Sequence, residues 1–313
     1  MKIQSLSIVV PTRKCVNDCP FCVSKTHDND YDNLQKDPLF EKDYKERLEY
    51  ARDNGTNTII LTGTAEALQN KPFLEKFAKW NSELSRPFYV IELQTTGVYL
   101  DDKTLKWLRE VIGVKTISLS VSDLFDNENN LDIIGVHKNL RFDLDEISKK
   151  IKSYGFNLRI SLNVLKKLEN DIYTNDDKYP RIIHLKTLDN DKVFQYIDDY
   201  KKIFTRLKEL QSDQVTFRQL WTSNNNTEID KWIKENNVNY DFFIELNEYI
   251  KENGRYLSKL PFGAEQYSVN EISVVIDDDC MSDKVEKEEI KYLILRENGK
   301  LYFKWDERSS LIF

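Results

Sequence analysis

Six short runs of β-branched and apolar residues, each followed by a stretch of helical periodicity, set the tightest limit on how this chain folds. Residues 7–10, 58–62, 88–93, 114–119, 158–165 and 215–220 read as strands. Between them Phe40, Tyr44, Leu48 and Ala51 recur at helical spacing up to Gly55, a good helix stop. Phe73, Phe77 and Trp80 mark a second helix, Leu105, Leu108 and Ile112 a third, 143–154 a fourth ending at Gly155, and 191–210 a long fifth. Strands alternating with helices imply right-handed parallel βαβ units, hence an α/β fold. Six units over residues 1–220 make a partial (β/α)6 TIM-type barrel, two units short of a complete one.

Beyond residue 220 the rhythm changes. A polar stretch at 223–227 leads to helical segments at 228–236 and 240–258, and then to β-rich runs at 272–276, 292–295 and 301–305. Asn298-Gly299 separates the last two, and Asn-Gly between β runs is a strong hairpin signal. Residues 221–313 are therefore expected to form a C-terminal α+β extension of helices and a hairpin.

Of four cysteines, three fall within eight residues: Cys15, Cys19 and Cys22, spaced C-x3-C-x2-C directly after the first strand. Such a cluster in a reducing compartment is a metal or redox site, since a disulfide framework needs even counts in a secreted chain. No run reaches the ~18 apolar residues of a membrane helix, and the N-terminus lacks the long apolar stretch of a signal peptide, so a cytoplasmic location without membrane attachment is expected. With 46 Lys+Arg against 53 Asp+Glu, a net charge of -7 argues against nucleic acid as a partner. Two chemistries suit the thiols. Three thiolates hold three irons of a [4Fe–4S] cluster and leave the fourth open, whereas electron-transfer clusters take four cysteines. Alternatively His27 completes a Cys3His zinc site, and the chain is then a non-catalytic metal-binding protein; an electron carrier is the other non-catalytic reading.

The cysteine loop, with aromatic Phe21 immediately before its last cysteine, resembles the defining motif of the radical S-adenosylmethionine (radical SAM) superfamily. The resemblance extends over residues 6–220. It implies a barrel of radical SAM type and a [4Fe–4S] cluster on Cys15, Cys19 and Cys22. The open iron would bind S-adenosylmethionine, whose reductive cleavage starts radical chemistry on a substrate. Gly63, Thr64, Ala65 and Glu66, after the second strand, are similar to the family's GGE-type segment that binds the cofactor's methionine amino group. Here Ala65 and Ala67 stand where glycine and proline are usual. Thr95 leads a segment similar to the family's T-N-G, and Ser120 lies in one similar to its S-x-D strand. In the fifth strand Arg159, Ser161 and Asn163 share a face, and the strand resembles the one whose polar residues reach the cofactor's ribose or carboxylate, so Ser161 and Asn163, the latter matching a motif position, are expected to contact it. The resemblance also implies an external one-electron reductant of flavodoxin or ferredoxin type.

The substrate is left open as a small polar metabolite, a nucleotide-like molecule or a peptide. Its expected contacts are Arg181 and His184, in a long polar connection over 166–190 that also holds Lys166, Lys167 and Tyr179, together with Arg218 in the sixth strand. Arg218 serves equally well to close a buried ion pair. Cys280 alone cannot build a second cluster.

Overall fold

A computed structural model describes residues 2–25, 39–173, 183–188, 192–197, 200–223, 225–260, 263–277, 289–305 and 308–313. The first half runs β1 (Lys2–Val9), α1 (Phe40–Asp53), β2 (Thr58–Thr62), α2 (Lys71–Glu83), β3 (Val90–Thr95), α3 (Asp102–Trp107), β4 (Thr116–Val121), α4 (Asn127–Ile134) and α5 (Leu144–Ser153). It continues through β5 (Asn157–Asn163), α6 (Lys166–Tyr173), β6 (Ile183–Leu188), β7 (Lys192–Ile197), α7 (Tyr200–Glu209) and β8 (Gln214–Arg218). The last third adds α8 (Glu228–Asn236), α9 (Tyr240–Asn253), β9 (Arg255–Lys259), β10 (Glu265–Val269), β11 (Ile272–Asp277), β12 (Glu289–Leu295) and β13 (Leu301–Tyr302). Among the described residues no helix is long and apolar enough to cross a membrane.

The six expected barrel strands pair parallel in the order β1-β2-β3-β4-β5-β8. The sheet is open, which makes this a partial barrel. The C-terminal strands extend the same sheet: β12 lies parallel against β1 and β11 parallel against β8, with antiparallel β13 beyond one and β10 and β9 beyond the other. The two parallel flanks are bridged by side chains, since Lys291 Nζ on β12 lies 3.3 Å from Asp277 Oδ1 on β11. The Asn298-Gly299 hairpin joins β12 to β13 as expected, with Gly299 in the left-handed region at φ +73°.

Alternation along each strand sorts the side chains. Ile59 and Leu61 of β2 and Val215 and Phe217 of β8 are buried against the helices, where Phe204 of α7 meets Phe217 at 6.2 Å between ring centres. Tyr44, Phe73, Phe77 and Trp80 fill the space between α1 and α2. The opposite faces carry polar rows in register. Gln94, Ser118, Arg159, Gln214 and Ser273 occupy neighbouring positions across five strands, and Ser120, Ser161 and Thr216 do so one layer higher.

Two expectations change. Residues 192–197, read as the start of a long helix, are strand β7, paired antiparallel with β6, and the helix begins only at Tyr200. Val193, Phe194, Tyr196 and Ile197 are residues that favour a pleated strand, and this preference wins over the helical spacing they also fit. The 166–190 connection is not a continuous loop either. Lys166 and Lys167 open α6, whose Leu168 and Ile172, four residues apart, are buried. Lys166 Nζ donates to the Glu235 carbonyl (2.6 Å), and Lys167 pairs with Asp171 and lies 3.8 Å from Asp123. Phe88 precedes β3 rather than opening it, because its backbone N–H and carbonyl bond the Asn81 side chain at the end of α2.

Truncating Phe217, fully buried between β8 and α7, is expected to cost about 3–5 kcal/mol. Chemical denaturation of the F217A variant measures it.

Candidate active site

The cysteine loop leaves β1 at the end of the strands where α/β barrels carry their sites, and a network of side chains holds it there. Beyond β2, Gln69 accepts from the Val16 N–H (2.9 Å) and donates to the Lys14 carbonyl (3.0 Å), while Asn70 Nδ2 donates to the Pro11 carbonyl (2.6 Å). Asn70 also caps α2 by accepting from the Phe73 N–H (3.1 Å). The Cys19 thiol donates to the Ile134 carbonyl at the end of α4 (3.2 Å), and Lys25 Nζ bonds both Asp18 (2.6 Å) and the Cys19 carbonyl (2.8 Å). Gly135 follows with φ +70°, and a Cβ there would lie 2.9 Å from the Asp18 backbone. Only glycine both turns the chain at that angle and lets the loop approach so closely.

The loop's central anchor is Glu66. Its carboxylate, 4% exposed, accepts four hydrogen bonds: Oε1 from the Thr95 hydroxyl (2.7 Å) and Leu68 N–H (3.3 Å), and Oε2 from the Thr96 N–H and hydroxyl (both 2.9 Å). Thr96 Oγ1 in turn accepts from Asn17 Nδ2 (2.7 Å). A continuous chain therefore runs from the cysteine loop through the end of β3 to the end of β2. The Glu66 backbone also reaches Cys15: burial raises the Cys15 thiol above its ordinary value, and hydrogen bonding by Asn17 and Glu66 pulls it partly back. Gly63 is required by close approach, since a Cβ would lie 2.7 Å from the Ala65 carbonyl oxygen and 3.4 Å from that of Val10. Thr64 Oγ1 donates to Glu297 (2.7 Å), a buried carboxylate just after β12.

Cys19 is pushed up to about 12, first by burial and then by the nearby thiols of Cys22 and Cys15. Three thiolates this close repel one another unless a cationic centre takes their charge. Among the described residues no three His, Cys, Asp or Glu side chains converge on the position of a single metal ion. An iron–sulfur cluster does not need that convergence, because each cysteine binds a different iron. The donor set thus fits a [4Fe–4S] cluster.

The remaining expected site residues are placed as follows. Phe21 packs its ring 5.5 Å from Trp232 of α8. Ser120 is half-buried on β4. Ser161 Oγ accepts from Arg218 Nε (2.7 Å), and Asn163 Nδ2 donates to Ser122 Oγ (3.1 Å). Arg218 also forms an ion pair with Asp277 (3.4 Å). His27, Tyr179, Arg181 and Cys280 lie outside the described residues, and His184 is described only as a backbone position of β6. Asn17, Gln69, Asn70, Gly135 and Glu297 are the site residues sequence reasoning missed. Asn70 alone carried a signal, as a helix cap before Pro72.

A cavity of about 460 Å³ lies inside the sheet, reaching from Thr58, Glu92 and Gln214 at the strand starts to Gly63, Arg218 and Val23 beneath the cysteine loop. At the strand starts Arg159 bonds Glu92 Oε2 (2.5 Å) and Gln214 Oε1 (2.6 and 2.8 Å).

Comparison with known proteins agrees with this geometry. The family model of the radical SAM superfamily matches residues 9–173. Streptococcus suis SuiB bound to S-adenosylmethionine superposes with a TM-score of 0.55 at 16% identity, over 96% of this chain and 60% of SuiB. The enzyme anSMEcpe with bound AdoMet and a peptide gives 0.50 at 14% identity, over 80% of this chain and 59% of that one. Escherichia coli coproporphyrinogen III oxidase (HemN), a radical SAM enzyme, gives 0.50 at 13%, over 81% and 54%. This chain spans 60% of the length of SuiB. No curated protein matches its sequence. The chain belongs to the radical SAM superfamily, a family of enzymes whose cofactors are a [4Fe–4S] cluster and S-adenosylmethionine, and Cys15, Cys19 and Cys22 supply its C-x3-C-x2-C motif.

Replacing Gly135 by alanine forces a side chain into the left-handed region and against the Asp18 backbone, costing about 1–3 kcal/mol in the loop's native position. G135A is expected to lower iron content per chain after anaerobic reconstitution while the far-ultraviolet circular dichroism stays that of the parent.

Proposed function

We propose that this protein cleaves S-adenosylmethionine reductively and uses the resulting radical to open chemistry on a small polar or peptide substrate. The observation that carries the reading is the chain of hydrogen bonds from Asn17 through Thr96 to Glu66. It fixes a three-thiol loop over a cavity inside the sheet of a radical SAM fold. When bound, the cluster supplies one electron to the cofactor's sulfonium, giving methionine and a 5′-deoxyadenosyl radical.

In this reading Cys15, Cys19 and Cys22 hold three irons. The backbone of Gly63, Thr64 and Ala65 meets the methionine part of the cofactor, and Glu66 acts through its carboxylate as a positioning residue, since four donors already occupy it. Thr95 is likewise spent on Glu66. Ser120, Ser161 and Asn163 face the cofactor from β4 and β5. Arg218, at the cavity's upper rim, meets the substrate, and Arg181 and His184 are assigned to substrate selection on sequence grounds. The reductant is a separate one-electron carrier.

Anaerobic reconstitution with iron and sulfide is expected to give broad visible absorbance, and addition of S-adenosylmethionine and a chemical reductant to yield 5′-deoxyadenosine. Each of C15A, C19A and C22A should abolish both. One zinc per chain, with no iron after anaerobic purification, rejects the proposal in favour of a structural metal site.

Changing Glu66 to Gln keeps the side chain's size but replaces two of the hydrogen-bond acceptor sites with donors that would face Thr95 or Thr96. Loss of one charge-assisted bond costs about 1.5–3 kcal/mol. E66Q is therefore expected to lower the melting temperature and the affinity for S-adenosylmethionine together, measured by scanning calorimetry and titration of the cluster-loaded protein.

A further inference from the structure

A guanidinium carries five N–H donors on three nitrogens and no acceptor, so an arginine inside a sheet needs several partners. Two arginines line the cavity inside this one, and their surroundings treat them differently. All three nitrogens of Arg159 donate: Nη1 to Glu92 (2.5 Å), and Nε and Nη2 to Gln214 (2.8 and 2.6 Å). Arg218 donates one hydrogen bond among the described residues, from Nε to Ser161 Oγ (2.7 Å). Its Nη1 lies 3.4 Å from Asp277 Oδ2, and Asp277 is shared with Lys291, whose Nζ is 3.3 Å from Oδ1. The two N–H groups of Nη2 have no partner among the described residues. The Arg218 side chain is 30% exposed, so an incoming group reaches it.

Register decides which way that side chain leans. Arg218 stands opposite Asn163 on β5 and Asp277 on β11, while Ser161 stands one layer lower, opposite Thr216. Bonding Ser161 therefore draws the guanidinium down the barrel wall into the cavity rather than up toward the strand ends. Unused donors on a fixed cation are met best by an anion, and the planar fork matches a carboxylate. One negative charge suits the place better than two, because the Asp277 carboxylate beside it repels a second.

The rest of the wall suits an apolar body. Ile60 of β2 and Val275 of β11 face inward, because the alternation that buries Ile59, Leu61 and Val274 leaves their neighbours on the opposite face. Tyr292 and Trp305 line the same space, and all four side chains are only partly buried. A ligand that covers them removes apolar surface from water. The cavity's volume of about 460 Å³ lies in the lower part of the ~300–1,000 Å³ range of ligand sites, which points to one small molecule. Arg218 shares the cavity's upper end with Gly63 and with Val23 of the cysteine loop, so an acid held there lies beneath that loop.

We propose that Arg218 holds the carboxylate of a small monocarboxylic acid whose apolar body lies in the cavity along Ile60, Val275 and Tyr292. This names the substrate class of the enzyme proposed above and rests on that reading. The test is calorimetric titration of the cluster-loaded protein, with S-adenosylmethionine present. The probes are 3-phenylpropanoate, indole-3-acetate and L-phenylalanine, each beside its carboxamide, together with phenyl phosphate. At least one acid binds, about tenfold or more tighter than its carboxamide. In Arg218→Gln that preference falls to about twofold or less. Should Arg218→Gln fail to fold, Arg218→Lys keeps the charge beside Asp277 and loses the fork, and the preference falls in it too. A second carboxylate belongs to S-adenosylmethionine, so the parent and Arg218→Gln are also titrated with the cofactor and with its decarboxylated analogue. The preference for the intact cofactor persists in the variant. Absence of binding by every acid, equal binding of acid and carboxamide, tighter binding of phenyl phosphate, or an acid preference that survives in the Arg218 variants overturns the proposal. Loss of the cofactor preference in Arg218→Gln overturns it as well, by assigning the guanidinium to the cofactor's carboxylate. Failure of the wider reading shows separately: a cluster-loaded protein that binds the acid but releases no 5′-deoxyadenosine on reduction lacks the radical activity and keeps the acid site.

Discussion

The carboxylate of Glu66 is the interaction on which the site's geometry depends. It is buried at the end of β2 and gathers four donors from Leu68, Thr95 and Thr96, so the ends of two neighbouring strands are fixed relative to each other. A buried charge is tolerated only when its hydrogen bonds are complete, and these are charge-assisted, with the three from Thr95 and Thr96 at 2.7 to 2.9 Å. Through Thr96 the same anchor extends to Asn17 and hence to the cysteine loop. A loop of three partly buried thiols has little reason to hold its shape alone. Its shape is imposed from outside by Glu66 and Thr96 on one side, by Gln69 and Asn70 on a second, and by Gly135 on a third.

The polar interior follows from the same division of labour. The outward faces of the strands, such as Ile59, Leu61, Val215 and Phe217, bury apolar surface against the helices and carry the stability of the sheet. The inward faces are thereby released from packing. Arg159 can then lie inside the barrel, because Glu92 and Gln214 take its donors at positions given by strand register.

Much of this was legible in the chain itself. The six barrel strands are marked by β-branched runs, and the shared face of Arg159, Ser161 and Asn163 follows from a period of two. The cysteine loop is legible because its spacing is chemical. Partner choice was not. Nothing local in 272–277 or 289–295 says that these strands flank β8 and β1, since pairing across 59 residues in the first case and 287 in the second is decided by which edges remain open. Residues 192–197 carry apolar spacing compatible with helix and strand alike, and only pairing with β6 separates the two. The contacts of Asn17, Gln69 and Glu297 join segments 79, 53 and 233 residues apart, and ordinary polar residues between strands give no sign of such partners.

The pairing of β1 with β12 has a consequence for the order of events in the cell. Lys2 neighbours Glu289, so the strand that launches the cysteine loop has one edge open until nearly the whole of these 313 residues has been synthesised. Contacts this distant in sequence pay their loop-closure entropy late and form slowly. Thr64 likewise waits for Glu297. The strand that launches the thiol loop is thus enclosed only once β12, 287 residues further along the chain, has paired with it.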